Sequence, residues 1–162
     1  MIIGIISDSH DNITLIKKAI SLLNERNVNM VIHAGDYVAP FTVRLFKEFK
    51  CPWIGVFGNN DGEKKGLTVV SESRIQEPPY ELNLGGKSVY ITHDINVASE
   101  DGIIPGRDII IFGHDHQASI KRINNQLYIN PGELCGYVSG KSTIAILNTE
   151  KMEAEIIEIP IQ

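Results

Sequence analysis

Cysteine is scarce: Cys51 and Cys135 are the only two in 162 residues. Two cysteines make no disulfide framework, so both are expected to be free thiols. No apolar run approaches the length needed to span a bilayer. The opening Met1–Ile6 has no basic flank and breaks at once into Ser7-Asp8, which reads as a strand rather than an export signal. A cytoplasmic chain without membrane contact is therefore expected. Positive charge is also in short supply, with 15 Lys and Arg against 20 Asp and Glu for a net charge of -5. The short basic pairs Lys64-Lys65 and Lys121-Arg122 make no patch, which argues against nucleic acid as a broad-surface partner. An anionic substrate then needs a local attractor, and a bound metal is the natural one. No repeat, low-complexity tract or linker divides the chain. Residues 1–162 are expected to form one domain, with homo-oligomerisation left open.

The apolar segments set the architecture. Ile2 to Ile6 is a β-branched run of the kind buried on both faces. Asn12 then caps a helix whose Ile13, Ile16, Ala19, Ile20 and Leu23 share one face. Val28 to Ile32 reads as a strand, Phe41 to Phe49 as a helix started by Pro40, and Trp53 to Phe57 as a third strand. This βαβαβ order favours parallel pairing with right-handed crossovers. The second half is mostly β. Tyr80 to Leu84 and Ser88 to Thr92 flank Gly85-Gly86-Lys87, and Ile120 to Ile123 and Leu127 to Ile129 flank Asn124-Asn125-Gln126. Ile109 to Phe112, Thr143 to Leu147 and Ala154 to Ile159 complete the set. The expected fold is α/β: two mixed sheets packed face to face, with helices outside, in four layers αββα.

The chemistry sits where strands end. Five apolar segments run into Ser7-Asp8-Ser9-His10, His33-Ala34-Gly35-Asp36, Gly58-Asn59-Asn60-Asp61, Thr92-His93 and Gly113-His114-Asp115-His116. All five histidines of the chain lie at these ends. Parallel sheets gather ligands at the carboxyl ends of their strands, so five such ends can meet in one crevice. The candidate metal ligands are Asp8, His10, Asp36, Asn59, His93, His114 and His116. Mixed imidazole and carboxylate donors suit manganese, iron, zinc, cobalt or nickel better than calcium or magnesium. Seven donors suit two such ions sharing a carboxylate. Two dications against two carboxylates leave positive charge for an anionic substrate. Each piece alone has a plain alternative: Asp8 as a helix cap, Gly58–Asp61 as a turn, His93 as a core histidine. Their joint order makes the metal reading the stronger one. His33, inward of Gly35, is expected to hydrogen-bond behind the ligands rather than coordinate. Ser139-Gly140-Lys141-Ser142 imitates a phosphate-binding loop but has Cys135 where glycine is needed and leads into a strand.

The ordered set D-x-H, G-D, G-N-x-D, T-H and G-H-x-H resembles the calcineurin-like metallophosphoesterases, and within them the small single-domain phosphodiesterase branch. The resemblance extends to Asn130–Glu133 and Cys135–Tyr137. It implies the αββα sandwich and two divalent ions, with manganese or nickel favoured. Asp8, His10, Asp36 and His116 match one site; Asp36 as bridge, Asn59, His93 and His114 match the other. Implied with it is hydrolysis of a small phosphate ester, a diester by preference, through in-line attack of a metal-bridging hydroxide. Asn59 is expected to orient a phosphate oxygen and Asp61 to orient a ligand from behind. Asn60 replaces the histidine that many members carry, so esters with good leaving groups are expected. The usual T-H-G-H is here Thr92-His93-Asp94-Ile95. The rival reading is a non-catalytic scaffold on the same sandwich, similar to the retromer subunit of that fold.

Overall fold

A computed structural model describes all residues, 1–162. Its first sheet contains β1 (Ile2–Ile6), β2 (Met30–His33), β3 (Trp53–Val56), β4 (Ile75–Gln76), β10 (Ser142–Asn148) and β11 (Glu153–Ile159), in the order β11-β10-β1-β2-β3-β4. β1 to β4 are mutually parallel, and β10 and β11 add antiparallel at one edge. The second sheet contains β5 (Tyr80–Leu84), β6 (Lys87–Ile91), β7 (Ile109–Ile111), β8 (Ser119–Ile123) and β9 (Gln126–Asn130), in the order β5-β6-β7-β9-β8. Here β6, β7 and β9 are parallel, and the two hairpin partners β5 and β8 run antiparallel. Both sheets are mixed, as expected.

Alternation along the strands separates the layers. Ile3, Ile5, Ile32 and Val56 of the first sheet meet Val89, Ile91, Ile109, Ile111 and Ile129 of the second in one apolar cluster. The opposite face of the first sheet packs Ile6, Val31 and Ile144 against Leu15, Ile16, Ala19, Ile20 and Leu23 of α1 (Ile13–Glu25). Asn12 caps that helix by accepting from Leu15 N. The outer face of the second sheet is covered only thinly. Ile110, Phe112 and Tyr128 there meet Ile104 and the partly buried Ile95 and Ala98, the latter two from the four-residue α4 (Ile95–Ala98). The poor helix-forming stretch after His93 thus yields one turn of helix and a loop. No helix is long and apolar enough to cross a membrane, and both cysteines are free.

One expected element differs. The helix expected over Phe41 to Phe49 is a short α2 (Pro40–Val43) followed by a 3₁₀ segment over Arg44–Glu48. Three residues per turn aligns Val43, Phe46 and Phe49 in one row, and all three are buried while Phe41 is exposed. Phe46 sits edge-on to Trp53. Tertiary packing therefore tightens the helix. A further helix, α3 (Lys64–Val70), and the two-residue β4 carried no clear periodic signal in the sequence.

Candidate metal centre

The carboxyl ends of β1, β2 and β3 in one sheet and of β6 and β7 in the other open onto the same crevice. The two sheets are tied there: His114 N donates to Asp8 Oδ2 (3.1 Å), and His93 Nδ1 bonds the Ala34 carbonyl (2.8 Å). The backbone is strained at these ends. Asp8, His10, Asp36, His114 and His116 all have positive φ, a region that non-glycine residues rarely occupy and that clusters at functional sites. Glycines admit the close approach. A Cβ on Gly58 would strike Asp36 Oδ1 and its backbone N, and one on Gly113 would strike Ser7 Oγ.

All seven candidate ligands converge. Asp8 Oδ2 accepts from Ser7 Oγ at 2.5 Å, while Oδ1 lies 3.8 Å from His10 Nε2 and 3.5 Å from His116 Nε2. Asp36 Oδ2 lies 3.5 Å from His10 Nε2 and 3.4 Å from His93 Nε2, between the two groups of imidazoles. Asn59 Oδ1 is 2.9 Å from both His93 Nε2 and His114 Nδ1. Burial falls from Asp8 and Asp36, which are fully covered, to His114, which is 40% exposed. The centre is therefore closed on the Asp8 side and open on the Asn59 side.

The protons explain what this arrangement is for. The Ala34 carbonyl only accepts, so His93 carries its proton on Nδ1 and turns the Nε2 lone pair toward Asp36 and Asn59. His116 Nδ1 is bound to the Glu133 carboxylate at 2.8 Å, so its Nε2 lone pair faces Asp8. Acceptors thus point at acceptors. Asp8 Oδ1 and His10 Nε2 are buried with no hydrogen-bond partner at all, an arrangement that is costly unless a cation fills it. Separations of 3.4–3.8 Å are too long for hydrogen bonds. They approach the roughly 3–3.5 Å expected between neighbouring ligands that each lie ~2.1 Å from one ion. The buried charge acts in the same direction. The nearby Asp8 carboxylate, with Asp36 beside it, holds the pKa of His10 above its ordinary value in spite of burial. Burial works against a charge on His93, but Asp36 outweighs it and the pKa rises. The pocket draws positive charge, and the donor set fits divalent metal ions.

The residues behind the ligands are placed as firmly. Gly35 N donates to His33 Nδ1, so His33 carries its proton on Nε2 and gives it to Ser9 Oγ. Burial pushes the His33 pKa down to about 3, and the ring stacks on Tyr37. It hydrogen-bonds behind the ligands and faces none of the ligand atoms' shared space. Asp61 accepts from the backbone N of Asp36, Tyr37, Val38 and Gly58. Both its oxygens are engaged in holding the Asp36 and Gly58 turns together.

Two residues touch the candidate ligands in ways the sequence did not signal. Asn60 donates to Asp36 twice, from its backbone N (2.8 Å) and from Nδ2 (2.7 Å). Glu133, fully buried, receives Cys135 Sγ–H, His116 Nδ1–H and the backbone N of Tyr137, Val138 and Ser139. Burial alone would raise its pKa, but these donors hold it down at about 2. The only signal for Glu133 in the sequence was its place in Asn130–Glu133. The neighbouring Cys135 thiol is pushed up to about 12, by burial first and by Glu133 second. Cys135 Sγ also lies close to the ring nitrogens of His10 and His116.

The family model for the calcineurin-like phosphoesterase superfamily domain matches residues 1–152. The chain belongs to the calcineurin-like phosphoesterase superfamily. A phosphodiesterase of Methanocaldococcus jannaschii is 38% identical over 162 residues, spanning 94% of this chain and 96% of that protein. A solved archaeal phosphodiesterase superposes with a TM-score of 0.90 at 38% identity, covering 98% of this chain and all of that one. The phosphoesterase YfcE of E. coli, 16% identical, superposes with a TM-score of 0.78 over 99% of this chain and all of its own, which shows the shared fold. As a calcineurin-like phosphoesterase this chain is a hydrolase of phosphate esters that works with divalent metal ions.

Proposed function

We propose that this calcineurin-like phosphoesterase is a single-domain phosphodiesterase that works with two divalent transition-metal ions. The observation that carries the proposal is the pair of buried atoms with no hydrogen-bond partner, Asp8 Oδ1 and His10 Nε2, beside the close cluster of His93, Asn59 and His114. Asp8, His10, Asp36 and His116 would hold one ion, and Asp36, Asn59, His93 and His114 the other. The mixed imidazole and carboxylate donors suit manganese, iron, zinc, cobalt or nickel, and the family resemblance favours manganese or nickel among them. When bound, the ions supply Lewis acidity, lowering the pKa of a water and stabilising charge on phosphoryl oxygens.

The protein's own groups do the positioning. Asn60 and Asp61 fix Asp36 from two directions. Glu133 fixes the tautomer of His116, and the Ala34 carbonyl fixes that of His93. Asn59 has its oxygen turned to the imidazoles, so its amide N–H groups remain to orient a phosphoryl oxygen. Asn60 has no acidic proton to give, so the leaving group departs unassisted by it, and esters of acidic alcohols are preferred. The M. jannaschii relative supports the choice of diester over monoester. The acidic surface favours small cytoplasmic esters over nucleic acid.

A scaffold would have no need of the complete donor set, nor of strain at five of its members. The experiment is turnover of bis(p-nitrophenyl) phosphate and of p-nitrophenyl phosphate with each of manganese, nickel, zinc and cobalt. The expected result is metal-dependent release of nitrophenolate, with kcat/KM about tenfold higher for the diester, a difference of ~1.4 kcal/mol. Stoichiometric metal binding without turnover of either ester would favour the scaffold.

A further inference from the structure

A cleft of about 230 Å³ opens directly beside Asn59, His93 and His114, on the exposed side of the candidate centre. Its walls beyond those residues include Phe57, Pro78 and Val97, which are apolar, and Lys64, Glu77 and Asp94, which are charged. Val97 is 84% exposed at its lip. Lys64 is committed to Glu77 through contacts of 2.8 and 2.9 Å and lies over the Phe57 ring. Asp94, with Oδ2 3.4 Å from His114 Nε2, has no cation of its own, so the two carboxylates share the single charge of Lys64. One cation against two carboxylates makes the cleft negative, although it adjoins a pocket that gathers positive charge.

We infer that this cleft seats the second ester substituent of a phosphodiester, an uncharged and partly apolar organic group, and that Asp94 and Glu77 make it reject monoesters. The inference rests on the phosphodiesterase reading and names what sets its preference. A phosphate held at the ligands directs one oxygen toward the cleft. In a diester that oxygen carries carbon, and the substituent lies along Phe57, Pro78 and Val97. In a monoester it carries charge and faces Asp94 across a short distance, with Glu77 beyond. A carboxylate at such range opposes a second negative charge by about tenfold in affinity in a solvent-exposed setting. Phosphorylated substituents are disfavoured for the same reason. Asp94 stands where Thr92-His93 would ordinarily be followed by glycine, so the chain adds this carboxylate where the resemblance provides none.

The test compares kcat/KM for bis(p-nitrophenyl) phosphate and p-nitrophenyl phosphate, which share a leaving group, in the metal-loaded protein and in Asp94→Asn and Glu77→Gln. Asparagine keeps the turn at residue 94, where Asp94 accepts from Asn96 N. Inhibition constants for phenylphosphonate, a dianion, and for its monoethyl ester, a monoanion, give a readout independent of turnover. Asp94→Asn is expected to gain about tenfold on the monoester and on phenylphosphonate, and Glu77→Gln, at an exposed and paired site, about threefold, with less than about twofold change on the diester and the monoethyl ester. Metal content is measured for each variant. Glu77, which is bonded to Lys64 and to no histidine, decides the matter should Asp94→Asn shed metal. Turnover of both esters with ratios unmoved in Glu77→Gln and in metal-replete Asp94→Asn overturns the inference and leaves the phosphodiesterase standing. Turnover of neither ester by the unaltered protein overturns both.

Discussion

Asp36→Asn is expected to lower turnover on the order of a thousand-fold or more while the fold persists, since it removes most of a stabilisation worth several kcal/mol. Asp36 Oδ2 is the one atom that lies within 3.5 Å of imidazoles from both halves of the centre, His10 and His93. The change to an amide alters shape by almost nothing but removes the charge and turns one acceptor into a donor. An amide nitrogen at either oxygen position would meet a donor of Asn60 and would offer no lone pair to a cation. The second consequence concerns stability. Asp36 is buried close to Asp8 and Asp61, and His93 and Asn60 hold its carboxyl well below the usual range in spite of burial. Without metal, a carboxyl held below its ordinary range stabilises the fold in its ionised form, so at neutral pH the stripped variant is expected to melt modestly below the stripped parent. With metal, the parent gains stability by mass action and the variant gains little. Thermal melts of both proteins with and without manganese, alongside turnover, check the two halves of this prediction. A variant that gained as much stability from manganese as the parent would mean that Asp36 serves the fold rather than the centre.

Gly58→Ala should be nearly as damaging although glycine offers no ligand. Its Cβ would collide with the Asp36 side chain and backbone N, and neither can move aside. Asp36 N is held by Asp61 at 3.1 Å, and Asp36 Oδ1 is held by Asn60 N at 2.8 Å. The expected result is a loss of turnover of about a hundredfold, from misplacement of ligands by a fraction of an ångström, with destabilisation of ~1–3 kcal/mol. Gly62→Ala, four residues on, is the control. A Cβ there meets nothing within 4 Å, and turnover should stay within about twofold of the parent. Kinetics and denaturant melts on the pair decide it. Equal effects at residues 58 and 62 would show that the turn tolerates bulk and that Asp36 is not clamped as described.

Most of the fold was legible because its strands are short apolar runs with clear punctuation. Gly85-Gly86 and Asn124-Asn125 mark hairpins, and all four residues take the positive φ that tight turns require. The candidate centre was legible for a related reason: each candidate ligand lies in the turn just beyond the carboxyl end of a parallel strand, where such ends converge. What escaped lacked that local logic. The residues Lys64–Val70 contain Gly66 and exposed Val69, with only Leu67 buried, so α3 shows no helical stripe. The switch to 3₁₀ at Arg44 is imposed by a row of buried residues spaced by three, which a pattern of 3.6 does not anticipate. Glu133 was the largest omission among site residues. Nothing near it in sequence says that its carboxylate would be buried and would fix a histidine seventeen residues away. Asn60 drew notice as a missing acid, whereas its structural task is to hold Asp36 with two donors.

The central claim is that five strand ends form one cavity for a pair of cations. Metal content per chain, measured by elemental analysis after reconstitution with manganese and exhaustive removal of free ion, tests it most directly. The account predicts two ions bound per chain in the parent and fewer than two in Asp36→Asn. A parent that retains none, or an Asp36→Asn variant that still retains two, would contradict it.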